Sequence, residues 1–126
     1  MPPQQDLVIV VDDDAAVRQA LRFALEQEGL EVRDYADGGE LLAEAELPRH
    51  ACLLIDQFMP AMSGVDLVRR LRRRHVRLPA ILMTGRSSRE LRESASRAGF
   101  ACVLEKPLDD GALMDTIRSE LAREIH

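Results

Sequence analysis

An open α/β fold, with a parallel sheet between two layers of helices, is what this sequence predicts. Two observations carry the prediction. The chain of 126 residues repeats one unit, an apolar strand, a short polar loop and an amphipathic helix, with no low-complexity segment between repeats. Four of its apolar runs also lead into a polar side chain: Asp12, Asp56, Thr84 and, one residue after Glu105, Lys106.

Leu7 to Val11 is apolar throughout, the mark of a strand buried on both faces. Asp14 to Glu28 reads as a helix, with Val17, Leu21, Ala24 and Leu25 at helical spacing and Gly29 as its stop. Glu31 to Tyr35 alternates and reads as an edge strand, and Gly38 to Ala45 as a short second helix. Ala51 to Ile55 is the third strand, ended by Asp56. A loop containing Met59-Pro60 and Ser63-Gly64 leads to a helix from Gly64 to Arg74, with Val65, Val68 and Leu71 facing inward. The fourth strand, Ala80 to Met83, runs into Thr84-Gly85, and the fourth helix spans Arg89 to Ala98, closed by Gly99. Ala101 to Leu104 and Asp109 to Glu124 complete the set. The crossovers are expected to be right-handed. The length suits one domain over residues 1–126, with loosely ordered ends at about 1–6 and 124–126.

Composition removes several classes of function. Hydrophobic residues make up 46% of the chain and aromatic residues 3%, so the core is aliphatic. A net charge of −5 argues against a nucleic-acid-binding domain, and one Tyr, three Phe and no Trp leave no base-stacking platform. No apolar run approaches the ~20 residues of a membrane span. Met1 to Asp6 has no basic, apolar leader pattern, and a cytoplasmic location is expected. Cys52 and Cys102 lie in apolar runs and read as small buried hydrophobes. His50, His75 and His126 are scattered without ligand spacing.

Of the 17 basic residues only Lys106 is lysine. Lysine offers a compact point charge where arginine offers a wide planar fork. In an open α/β sheet, ligands bind beyond the carboxyl ends of the strands. There the sequence places Asp12, Asp13, Asp56, Thr84 and Lys106. Three neighbouring carboxylates repel one another unless a cation sits among them, and oxygen ligands open to water suit Mg²⁺. With Lys106 beside them, the site is built to receive a phosphoryl group, with a carboxylate as nucleophile and Thr84 as a hydrogen-bond donor. Asp12 or Asp13 could equally serve as a helix N-cap; Asp14 is assigned that role, which leaves its neighbours for the metal.

The motifs Val10-Val11-Asp12-Asp13-Asp14, Leu54-Ile55-Asp56-Gln57-Phe58-Met59-Pro60, Met62-Ser63-Gly64, Met83-Thr84-Gly85 and Glu105-Lys106-Pro107 span most of the chain. With them the sequence resembles the receiver domain of two-component response regulators. The resemblance implies a flavodoxin-like, doubly wound five-stranded sheet of order 2-1-3-4-5 with five helices. It implies that Asp56 accepts a phosphoryl group from a phosphohistidine on a sensor histidine kinase or a histidine phosphotransfer protein. It also implies Mg²⁺ bound by Asp13, Asp56 and the backbone carbonyl of Phe58, with Asp12 acting through water. Thr84 and Lys106 would hold the phosphoryl oxygens, and the Lys106–Pro107 bond would be cis.

Two departures shape the expectations. The family usually carries Tyr or Phe three residues before the lysine, a ring that rotates on activation; this chain has Val103, which has no such lever. Phe58 and Arg86, two residues past Asp56 and Thr84, are bulky and predict slow loss of the phosphoryl group. The arginine run Arg69, Arg70, Arg72, Arg73, Arg74 and Arg77 reads as a solvated helix end favoured by the dipole. Opposite charges on the fourth and fifth helices, among them Arg89, Arg92, Asp109 and Asp115, suggest a homodimer across helix four, strand five and helix five. Two other functions compete. A phosphate-independent interaction module is favoured only by Val103. An aspartate-nucleophile phosphatase would need an acid where Phe58 stands.

Overall fold

A computed structural model describes residues 6–124. Five strands, β1 (Leu7–Val11), β2 (Glu31–Tyr35), β3 (Cys52–Asp56), β4 (Ala80–Thr84) and β5 (Cys102–Glu105), alternate with helices. These are α1 (Ala15–Gln27), α2 (Gly38–Leu42), α3 (Gly64–Arg73), α4 (Arg89–Ala98) and α5 (Asp110–Glu124). The strands are all parallel and ordered β2-β1-β3-β4-β5. Of the expected loose ends, residues 1–5 and 125–126 lie outside the described residues; the Asp6 carbonyl accepts from Glu31 N at 2.9 Å.

Alternation along the strands divides the core into two layers. Ile9, Leu53, Ile55 and Leu82 pack on one face against Leu41 of α2, Leu67, Val68 and Leu71 of α3, and Ala95 and Ala98 of α4. Val10, Leu54, Ile81 and Met83 pack on the other against Leu21 and Leu25 of α1 and Leu113, Ile117 and Leu121 of α5. The central strands β1, β3 and β4 are apolar up to the carboxyl ends of β3 and β4 because both faces are covered.

The helix ends follow the expected capping chemistry. The Asp14 carboxylate accepts from the backbone N–H groups of Ala16 and Val17 at 2.9 and 3.3 Å. Gly29 and Gly99 follow α1 and α4 with φ of 82° and 100°, conformations that glycine adopts without steric cost.

Most boundaries fall within one residue of the sequence reading, β5 for instance at Cys102–Glu105 instead of Ala101 to Leu104, and three differences have a physical cause. β3 and β4 reach Asp56 and Thr84 themselves, because the ladder continues through the pairs Asp56–Met83 and Thr84–Glu105. Both polar side chains are therefore fixed by strand geometry rather than by a loop. α2 stops at Leu42 instead of Ala45: Ala43 to Glu46 is exposed and offers no apolar anchor, and Arg74 Nη1 takes the Leu42 carbonyl at 2.7 Å.

Cys52 is buried but Cys102 only half so, since β5 is an edge strand of the sheet. Of the arginine run, Arg69, Arg70, Arg73, Arg74 and Arg77 are exposed as expected, and Arg72 is the exception. Arg72 donates to the carbonyls of Val76, Leu78 and Gly99 at 2.8, 2.9 and 3.0 Å.

Candidate functional site

The carboxyl ends of β1, β3, β4 and β5 meet at one edge of the sheet. The adjacency of β1 and β3, sequentially distant, brings Asp12 and Asp13 beside Asp56. Asp12 is fully buried, Asp56 is 5% exposed and Asp13 is open to solvent. The three carboxylates can each offer an oxygen within 4.8 Å of the others. Lys106 reaches in from the end of β5, with Nζ 3.0 Å from Asp56 Oδ1 and 3.1 Å from Asp12 Oδ2. Its peptide bond to Pro107 is cis.

Asp12 is held on every side. Its Oδ1 accepts from Asp14 N at 2.9 Å, its backbone carbonyl accepts from Arg18 Nη1 at 2.8 Å, and Arg18 Nε lies 3.4 Å from Asp34. Arg18 thus fixes the chain that carries Asp12, a role its solvated helical position in the sequence did not reveal.

The charges do not balance: three carboxylates face one ammonium. Burial raises the pKa of Asp56; the hydrogen bond from Lys106 opposes this, and the charges of Asp12 and Asp13 reinforce it. For Lys106, burial pulls the pKa down, but hydrogen bonds to Asp56 and Asp12 outweigh it and leave it raised. The lysine is therefore a fixed cation, and the acidic cluster retains room for another. Its donor set is oxygen only and one member is solvent-accessible, which fits a hard, partly hydrated divalent ion such as Mg²⁺.

Thr84 sits at the end of β4, fully buried. Its hydroxyl donates to the Arg86 carbonyl at 2.9 Å and accepts from Arg86 N at 3.2 Å, so it is engaged with its own loop rather than with Asp56. That loop is tied further: Glu105 Oε1 accepts from Ser87 N at 3.1 Å, and Arg92 Nε donates to Ser87 Oγ at 2.9 Å. Glu105 and Ser87 lie 18 residues apart, and no local pattern in the sequence joins them. Phe58 lies in the β3–α3 segment and is 64% exposed. Val103 packs against the core beside a cavity of about 210 Å³ lined also by Arg92, Ala95 and Phe100.

Comparison with known proteins agrees with this fold. A family model described as the response regulator receiver domain matches residues 8–118. The chain is 36% identical over 121 residues to the transcriptional regulatory protein FixJ of Azorhizobium caulinodans, covering 96% of this chain and 57% of that protein. It is 38% identical over 106 residues to the DNA-binding transcriptional regulator NtrC of Salmonella typhimurium, covering 84% of this chain and 23% of that one. This chain thus spans about half or less of the length of these relatives. Among solved structures, FixJ-N superimposes with a TM-score of 0.87 at 32% identity, over 95% of this chain and 96% of that one. A CheY-like receiver domain from Methanospirillum hungatei also gives 0.87, at 29% identity, over 96% and 97%. No helix among the described residues is long and apolar enough to cross a membrane.

Proposed function

Because this chain belongs to the response regulator receiver domain family, we propose that it is a phosphoacceptor in a phosphorelay, with Asp56 as the accepting side chain. The observation that carries the assignment is the Lys106 ammonium bridging Asp56 and Asp12 at 3.0 and 3.1 Å. Asp56 is preferred over Asp12 as the acceptor because it belongs to β3 itself, whereas Asp12 follows β1 and has its Oδ1 engaged by Asp14 N.

In this reading an Asp56 oxygen attacks the phosphorus of a phosphohistidine on a sensor kinase or phosphotransfer protein. An O–P bond forms, the N–P bond breaks, and the imidazole leaves with the electron pair. Lys106 holds a phosphoryl oxygen as charge develops on the transferring group. Asp12, Asp13, Asp56 and the Phe58 carbonyl would hold Mg²⁺, Asp12 through water. When bound, Mg²⁺ would offset the carboxylates and the charge of the incoming group. A cytoplasmic location goes with such a donor, and the domain is a signalling element rather than a turnover enzyme.

Thr84 must release the Arg86 carbonyl to donate to a phosphoryl oxygen, which loosens the loop that Glu105 and Arg92 hold through Ser87. This gives the α4–β5–α5 surface a route of response that needs no ring at Val103. A partner, or a second copy of the chain, would read that surface.

Intact mass after incubation with phosphoramidate tests the reading. One Mg²⁺-dependent phosphoryl adduct is expected, labile to hydroxylamine, absent in Asp56→Asn, slow to decay, and faster to decay in Phe58→Asn and Arg86→Ala. A folded protein without an adduct would leave the phosphate-independent interaction module instead.

A further inference from the structure

We propose that Gln57 is a positioning residue for the cation site, acting as a clamp between the end of β3 and the start of α3. The inference rests on the reading of Asp12, Asp13 and Asp56 as the cation ligands.

Three bonds converge on this residue. Its N–H donates to the Met83 carbonyl at 2.9 Å, which extends the β3–β4 ladder past Asp56. Its backbone carbonyl accepts from Gly64 N at 3.1 Å, and its side-chain Oε1 accepts from Val65 N at 3.0 Å. Ser63 Oγ accepts the next donor, Asp66 N, at 3.1 Å. A helix begins with N–H groups that have no partner within the helix. In α3 the first three are all satisfied, two of them by Gln57.

The clamp matters because of what it closes. Asp56 precedes Gln57 and Phe58 follows it, so two proposed ligands are its covalent neighbours. The segment it closes contains Ala61 at φ 68°, with Met62 N bonded to the Pro60 carbonyl at 2.7 Å. That is a three-residue turn with a left-handed non-glycine centre, a strained form that needs external ties to persist. Gly64 is also pressed on the strand end: a Cβ there would lie 2.7 Å from the Asp56 carbonyl oxygen and 2.8 Å from Leu82 Cδ1. An apolar residue at position 57 keeps the two backbone bonds and loses only the side-chain tie. The side-chain amide is therefore a separable part of the site.

Isothermal titration with Mg²⁺, on protein shown to be folded by circular dichroism, tests this on wild type, Gln57→Met and Gln57→Glu. Gln57→Met is expected to weaken Mg²⁺ about tenfold, as loss of an outer-shell partner does. Gln57→Glu retains an acceptor and is expected to bind at least as tightly as wild type. A lowered Tm in Gln57→Met with Mg²⁺ affinity within twofold of wild type would make the residue a helix cap only and overturn the inference. Wild type failing to bind Mg²⁺ would overturn the underlying reading of the site. A second measurement does not depend on a variant folding. By linkage, Mg²⁺ should slow hydrogen exchange at the Val65 amide of wild type by ~10-fold, and at Asp66, capped by Ser63, by less. Equal effects at the two amides would also overturn the inference.

Discussion

Lys106 and Arg72 are both half-buried cations, at opposite ends of the strand layer, and they are used in opposite ways. Lys106 meets two carboxylates, and hydrogen bonds to them raise its pKa against the effect of burial. Arg72 meets three backbone carbonyls and, among the described residues, no carboxylate, and burial lowers its pKa, helped by the charge of Arg77. A compact ammonium can sit between acids and leave space for a further anion. A planar fork is suited to gathering several fixed acceptors. The carboxyl edge of the sheet therefore holds an excess of negative charge, and at the amino edge one guanidinium staples backbone carbonyls. The difference explains why a chain otherwise committed to arginine carries its one lysine at position 106.

Exchanging the two cation types is the strongest way to break this comparison. Lys106→Arg places a wide fork between Asp12 and Asp56, where 3.0 and 3.1 Å contacts leave room for a single nitrogen. Phosphoryl incorporation from phosphoramidate should slow about 100-fold, the scale on which one preorganised charge contact to the transferring group contributes. A rate near wild type would show that only charge, not shape, matters at this end.

The reverse exchange, Arg72→Lys, should leave that rate unchanged and lower stability instead. One ammonium cannot span the carbonyls of Val76, Leu78 and Gly99, which belong to the α3–β4 and α4–β5 connections. Losing at least one charged hydrogen bond costs about 2 kcal/mol, measurable as a shifted urea midpoint. An unchanged midpoint would mean that water replaces the lost bonds at no cost, and the staple would then be incidental.

The same contrast governs what the sequence revealed. The strand ends were legible because four apolar runs lead to polar residues, and a parallel sheet places those residues on one edge. Asp12, Asp13, Asp56 and Lys106 accordingly converge, and Asp14 takes the cap that frees its neighbours. Arg72 was not legible. Its helical position predicts solvent, and only the return of the chain at Leu78 and Gly99 supplies its partners. Gln57 and Glu105 were hidden in the same way. Each lies inside a motif, and its work is done by a side-chain oxygen that reaches a backbone N–H elsewhere in the chain. The orientation of Thr84 toward Arg86 was equally out of reach, because a hydroxyl with two neighbouring partners leaves no trace in residue order.

The smallest effect concerns the acidic edge alone. Asp56 has a pKa raised above its ordinary 3.8, chiefly by burial and further by the charge of Asp12. A carboxyl whose folded pKa lies above its unfolded one favours the fold below the unfolded value. That advantage is lost as pH rises through the folded value. At pH 7 the ionised side chain therefore opposes folding. Asp56→Asn removes that charge, while Lys106 keeps its contact with Asp12. In EDTA the variant should melt about 2–5 °C above wild type at pH 7, a difference of order 1 kcal/mol. The gap should narrow as pH falls through the raised folded pKa of the wild-type carboxyl, which then takes up its proton. Lys106→Met makes the opposing case: it leaves three carboxylates without their ammonium and should melt below wild type in the same buffer. If Asp56→Asn melted lower than wild type at pH 7, the ion pair with Lys106 would outweigh burial and repulsion, and the acidic edge would stabilise the fold rather than oppose it.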